Sequence, residues 1–416
     1  MAKLDLARAP PVWVPRLFLL TTPLWGVIAG LMLAHDGAAA LQSRWALPTL
    51  ALTHVFTLGV LGNAMFGSLL QFLPAAAGVR VRGGAGASVV LHVLLNAGTV
   101  ALVAGFRGAG ASVFATATVL LAAAFGLLAA MTLPGLPREA GPASVRGGIG
   151  FALVAALATA TLGIAMARGL AGLVPALPVL PWADVHATWG VLGWALALVA
   201  SVARVVVPMF QGVPVASVRA HVAALTLAAI VLVTGSALAV NGRPHALRSG
   251  AAAVAGVFVI DALWRQWRTP PKRNPELVLA WRAGLLALLA AAAVLAANGP
   301  AVLVGVLALG VGLPLLVLGM QLEIVAFLGW IELHRRCGRG TRLPPVQHLL
   351  PAATKTRVLR VQMAAGALLV VAALWPGDVA ARLAGSALAA AHAVAWFALA
   401  ASVRRTRRWR LEESRA

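Results

Sequence analysis

The chain has 416 residues, of which 61% are hydrophobic and only 11% charged, and its mean hydropathy is +0.93. A water-soluble fold carries roughly twice that charged share and cannot hide so much apolar side chain, so lipid is the solvent. The net charge of +22 would point to nucleic acid in a soluble protein; here basic loops at a membrane surface account for it, and no nucleic-acid partner is expected.

The apolar runs predict twelve spans, at roughly 14–34, 47–73, 87–106, 111–133, 148–167, 182–208, 219–240, 246–264, 278–297, 301–333, 358–376 and 379–403. The first follows MAKLDLARAPPVWVPR and lacks a small-residue cleavage site, so it reads as a retained span. The sixth and tenth are long enough to tilt or kink, and Pro314 is the expected kink in the tenth. Little chain remains for a domain outside the bilayer. The loop TPPKRNPE at residues 269–276 and the stretch from Gly338 to Thr356 are the best linkers, and both are short. One cysteine, Cys337, leaves no disulfide framework or Cys-based metal site.

Basic residues set the expected orientation. With the N-terminus inside, inner segments hold Arg80 and Arg82, Arg138 and Arg146, then Arg265, Arg268, Lys272 and Arg273. Arg335, Arg336, Arg339, Arg342 and Lys355 follow, and then the tail from Arg404 to Arg410. Outer segments hold scattered ones, among them Arg107, Arg168, Arg243, Arg248 and Arg382. This asymmetry places both termini in the cytoplasm of a bacterial inner membrane. Trp45, Trp182 and Trp375 would mark the outer interface, and Trp264, Trp267 and Trp409 the inner one.

Two spans echo each other. The second contains HVFTLGVLGNAMFGSLLQFLP from His54 to Pro74, and the sixth HATWGVLGWALALVASVARVVVP from His186 to Pro208. Each opens with His at its outer end, continues with Gly-Val-Leu-Gly (Gly59 to Gly62, Gly190 to Gly193) and closes with Pro. Leu328-Gly329-Trp330 on the tenth span repeats Leu192-Gly193-Trp194. A unit of about 130 residues, or four spans, follows. The chain then reads as one domain with approximate repeats 1–134, 135–268 and 269–416: three pseudo-repeated four-helix arcs.

His54 and His186 are the residues expected to carry chemistry. They lie at similar depth on helices related by the repeat, each with glycines below it. Two such imidazoles suit the axial positions of a b-type haem, with Gly59, Gly62, Gly190 and Gly193 giving close access to its faces. Thr53, Thr57, Asp184 and Thr188 are the nearest groups to fix the imidazole tautomers. The plainer alternatives are interfacial histidines bonded to head groups or backbone, and glycines that only pack helices.

Four more polar residues lie within spans, where such groups are functional candidates. His392 is near the middle of the twelfth helix, as a further ligand, a proton carrier or an interhelical hydrogen bond. Glu323 and Gln321 fall mid-membrane on the tenth, near where a third histidine would repeat. Glu323 suits a proton carrier, an ion site or a structural bond. Arg204 is the expected partner of Glu332, and Asp261 pairs with a nearby Arg. His35, His92, His221, His245, His334 and His348 read as interfacial. Phosphate-binding glycine loops, His-Glu-x-x-His and tyrosine are absent from the sequence.

Twelve spans in three arcs with histidine on the second and sixth resemble the catalytic subunit of the haem–copper oxidases and nitric oxide reductases. ALTHVFTLGVLGNAMFGSLLQFLPAAAG, VHATWGVLGWALALVASVARVVVPMFQGVP and GMQLEIVAFLGWIELHRRCG look like a bacterial branch of that superfamily, similar to the NnrS family of haem- and copper-associated membrane proteins linked to nitric oxide stress. The resemblance implies the oxidase subunit I-like fold, with His54 at the low-spin haem position. The departures matter. His186 matches the copper ligand of the sixth helix only loosely. The seventh helix has only His221, the tenth only His334, and no Tyr exists to form the cross-linked phenol. These departures argue against copper and against oxygen reduction. The expected function is a bis-histidine haem protein of redox or nitric-oxide-related role. The alternatives are a transporter or channel using Glu323, Gln321, Arg204 and His392, or a non-catalytic partner or assembly factor of a respiratory complex.

Overall fold

A computed structural model describes residues 8–138, 141–269, 273–337 and 341–413, with side chains described through residue 409. Lys272, Arg339 and the side chain of Arg410 lie outside the described residues. The protein is an all-α multi-span membrane protein, with no strand among the described residues. Twelve helices are long and apolar enough to cross a bilayer: α1 (Trp13–Ala40), α2 (Leu47–Ala76), α3 (Gly84–Phe106), α4 (Ala111–Gly135), α5 (Ala143–Leu170), α6 (Val179–Phe210), α7 (Val218–Val240), α8 (Pro244–Arg268), α9 (Pro275–Ala296), α10 (Ala301–Arg336), α11 (Ala352–Leu374) and α12 (Asp378–Trp409).

Three of them form the interior. The most apolar windows of α2, α6 and α10 are 83%, 61% and 56% buried, against 50% or less for the other nine. Their spacing of four along the chain matches the spacing of the sequence repeat. Aromatic pairs tie them together: Phe66 of α2 meets Trp194 of α6 edge-on at 6.1 Å, and Phe210 of α6 meets Phe327 of α10 likewise at 6.1 Å. The other helices expose leucines and valines on their outer faces, as lipid-facing surfaces require.

Each interior helix is interrupted by a stretch of π-helix: Val55–Gly62 in α2, Trp189–Leu196 in α6 and Val306–Gly312 in α10. A π-turn bonds i to i+5, so it carries one residue more than an α-turn and loosens the backbone ladder. The sequence handles the loosened carbonyls locally. Asn63 donates its side-chain amide to Gly59 O at 2.8 Å. Pro314, which has no N–H to give four residues back, follows directly after the stretch in α10. The kink expected at Pro314 is therefore a π segment just before it.

These segments also set the repeat register. VFTLGVLG (55–62) aligns with VLALGVG (306–312), so Gly310 takes the place of Gly59 and Gly190. The residue five before Gly59 is His54; the residue five before Gly310 is Gly305. His186 is four before Gly190 and Val306 stands four before Gly310, so neither spacing puts a histidine on α10. Glu323 and Gln321 lie beyond the π segment, and Leu328-Gly329-Trp330 is not the structural counterpart of Leu192-Gly193-Trp194.

The first and last helices close the bundle. α1 packs most extensively against α12, through a small-xxx-small seam in which Gly26 faces His392 and Gly30 faces Ala389 and Gly385. A Cβ on Gly30 would sit 2.3 Å from the backbone nitrogen of Ala389, and one on Gly385 2.3 Å from that of Ala34. Backbone cannot yield as a side-chain tip can. Gly30→Val is expected to abolish correct packing of α12 and to cut the yield of monodisperse protein severalfold. Size-exclusion profiles of the detergent-solubilised variant check this.

Candidate functional site

His54 and His186 meet. His54 is the last α-helical residue before the π segment of α2, and His186 stands three residues before that of α6. Their ring centroids are 6.3 Å apart and the ring planes 25° from parallel. Both residues are half-buried.

Backbone carbonyls fix both tautomers. His54 Nδ1 donates to Leu50 O at 2.7 Å, within its own helix. His186 Nδ1 donates to Thr159 O at 3.0 Å, across to α5. With the proton held at Nδ1, Nε2 keeps its lone pair, the usual state of a ligating imidazole. Phe106 of α3 stacks on His54 at 5.1 Å and is itself braced edge-on by Phe114 at 5.3 Å. Gly163 of α5 leaves the room that His186 occupies: a Cβ there would lie 2.8 Å from its Cε1.

The expected tautomer-fixing groups serve elsewhere. Thr53, Thr57 and Thr188 return their hydroxyls to carbonyls four residues back. Asp184 binds Arg44, and also Arg248 with Nη2 at 2.7 Å and Nε at 3.2 Å. This cluster ties the α1–α2 loop to α6 and α8 beside the histidines. On the same side Arg107 grips Asp36 with two bonds of 2.7 and 2.9 Å.

The expected glycines turn out to pack helices. A Cβ on Gly59 would strike the Trp25 ring at 2.6 Å, and one on Gly193 would strike Ala155 at 2.8 Å. Gly62 faces Leu95 and the carbonyl of Thr57, and Gly190 faces Thr159. Trp25 is held in turn, donating to Asn96 Oδ1 at 2.6 Å, while Asn96 and Asn63 exchange amide bonds of 3.1 Å. This buried network joins α1, α2 and α3 below His54. Asparagines inside apolar spans were the available signal for it.

The remaining polar residues do not join the histidines. Gln321 donates to Leu19 O. Glu323 accepts from Lys355 Nζ at 2.6 Å, and the same ammonium lies 3.0 Å from Glu276. Lys355 stands in the first turn of α11 and Glu276 in that of α9, so Glu323 sits level with helix ends and not mid-membrane. Arg204 donates to Ala216 O at 3.0 Å, whereas Glu332 pairs with Arg16. Asp261 does pair with Arg265, at 2.8 Å. His392 receives Gln362 Nε2 at 3.2 Å and lies on Gly26. Among the described residues, no hydrogen bond or ion pair links Glu323, Gln321, His392 and Arg204 to one another. Two histidines read as interfacial are instead placed inside the bundle: His92 contacts Thr21 Oγ1 at 3.0 Å, and His221 is buried.

No group of three or more His, Cys, Asp or Glu side chains able to hold a metal ion occurs among the described residues. A two-imidazole site therefore suits a metal that brings its own equatorial ligands. The 6.3 Å spacing of the two rings would allow both to hold one such ion. Gly163→Val is expected to displace His186, and any iron or zinc held by the pair should bind about 10- to 100-fold more weakly, the usual cost of disturbing a ligand's support. Titration of purified protein with haemin or Zn²⁺ reads this out.

No protein-family profile matches the chain, and no curated protein matches it.

Proposed function

We propose that this protein binds haem b between His54 and His186 and has a redox or nitric-oxide-related role in a bacterial inner membrane. The observation that carries the reading is the 6.3 Å separation of two near-parallel imidazoles whose Nδ1 atoms are both committed to backbone carbonyls. The resemblance of the three sequence strings to the haem–copper oxidase superfamily and the NnrS family supports it from a separate direction. His54 and His186 would hold the haem, and the group would supply electron transfer there. The chain's part is to orient both rings, keep each proton on Nδ1 and wall one side with Phe106. The basic residues that recur in alternate loops support an orientation with both termini in the cytoplasm. A respiratory or redox protein is the natural partner.

For the transporter reading, Glu323 bonds to Lys355 and Arg204 to Ala216 O, and among the described residues no contact joins the two. The test of the haem reading is the optical spectrum of protein purified from a haem-replete host, oxidised and reduced. A low-spin six-coordinate spectrum is expected, and a colourless preparation overturns the proposal.

A further inference from the structure

The α2–α3 and α4–α5 loops meet at the end of the bundle opposite the histidines, where α2 and α4 finish and α3 begins. Between them is an open hollow of about 460 Å³, walled by residues 80–84, Pro134, Gly135 and Arg138. Arg80, Arg82 and Arg138 line it, all three exposed, with no acidic residue among the described lining.

The two loops are tied, so the fold itself brings these charges together. Arg82 N–H donates to Met131 O at 2.9 Å. Gly135 lies against the other loop: a Cβ there would stand 2.8 Å from Arg80 O. Arg146 braces the second loop, donating from Nε to Gly141 O at 3.0 Å and from Nη1 to Leu136 O. Elsewhere Arg16, Arg44, Arg107, Arg248, Arg265 and Lys355 each hold a carboxylate. Among the described residues, no carboxylate or carbonyl engages the side chains of Arg80, Arg82 and Arg138. A topology signal needs basic residues in a loop; it does not need residues of two loops to line one hollow. Three like charges there repel until an anion joins them.

We propose that this hollow binds the head group of an anionic phospholipid, with the phosphate among Arg80, Arg82 and Arg138. A guanidinium offers a planar fork that matches two phosphate oxygens. Basic pockets at the ends of membrane spans suit such head groups. The surface beyond the hollow favours a lipid over a soluble phosphate. Gly86 has open space around it, and Val90 and Val93 follow at helical spacing, 51% and 56% exposed. Acyl chains can therefore run along α3 directly from the hollow. The volume agrees: it lies in the range of small-molecule sites, roughly 300–1,000 Å³, and inorganic phosphate would fill little of it.

The test is native mass spectrometry of the full-length protein in non-ionic detergent at physiological ionic strength. It is titrated with phosphatidylglycerol, with phosphatidylcholine of the same acyl chains, and with glycerol phosphate as the soluble head group. One phosphatidylglycerol should bind at least about fivefold more tightly than phosphatidylcholine, and glycerol phosphate should not displace it. Arg80→Gln with Arg138→Gln should weaken phosphatidylglycerol roughly 10- to 30-fold, about fivefold for each arginine. Arg357→Gln with Arg360→Gln removes two exposed charges from α11 instead. That control should cost less than about twofold, because charges beyond a screening length contribute little. Equal binding of the two lipids overturns the proposal. So does a control pair as costly as the hollow pair, which reduces the effect to diffuse surface charge. Displacement of the lipid by equimolar glycerol phosphate assigns the hollow to a soluble phosphate ester and overturns the lipid reading. The lipid comparison and the displacement are both measured on the unmodified protein, so a variant that misfolds does not obscure them.

Discussion

Alanine at His54 or His186 is expected to remove the six-coordinate spectrum that the proposed haem would give. On the proposed reading both imidazoles would hold the haem, so either change would leave it a single protein ligand. Haem retained per protein should fall at least about tenfold, since disturbing only the support of a ligand already costs 10- to 100-fold. Any haem that stays bound should be high-spin. The two variants should behave alike, because neither ring has a neighbouring imidazole to replace it: the other described histidines belong to separate contacts such as His92 with Thr21 and His392 with Gln362. Histidine-to-alanine changes at His92 or His392 should leave the spectrum untouched. Unchanged spectra in both His54→Ala and His186→Ala would falsify the assignment of these ligands.

Lys355→Met should be the most damaging single change outside the histidine site. Lys355, Glu276 and Glu323 form a buried triad in which one ammonium serves two carboxylates, with distances of 3.0 and 2.6 Å. Their side chains are only 4%, 7% and 4% exposed. Removing the cation leaves two like charges facing each other in a poorly solvated place, a loss of about 3–5 kcal/mol. A sharp fall in the heat resistance of the detergent-solubilised protein is expected. The triple variant Lys355→Met, Glu276→Gln, Glu323→Gln removes all the charges together, and most of the resistance should return. If the triple variant is as fragile as Lys355→Met alone, the damage comes from lost packing and not from unpaired charge.

The spans were readable because lipid imposes a simple rule: long apolar runs between polar breaks. Observed and expected boundaries agree within a few residues for most helices, and the pairing of His54 with His186 follows from their matched places in the repeat. What could not be read depends on how backbones approach. The Gly26, Gly30 and Gly385 seam needs the knowledge that α1 and α12 are neighbours, 355 residues apart between Gly30 and Gly385. The triad stayed hidden because Lys355 sits among loop-like basic residues. Its helical face was nonetheless present in the sequence. Lys355, Val358, Leu359, Gln362, Gly366 and Leu369 recur every three to four residues and are all buried, while Arg357 and Arg360 are exposed. Reading that periodicity through the charges would have placed the lysine inside.

The π segments have a consequence for how such a protein can change over time. An extra residue in a turn rotates everything beyond it by about 100° around the helix axis. In α2 and α6 the stretch before the rotation presents an imidazole, and the stretch after it presents the wall of a greasy chamber. The two ends of one rod are thereby freed from a common azimuth. Substitutions that reshape the aliphatic half of a rod need not re-aim its imidazole, so the two halves can be altered separately.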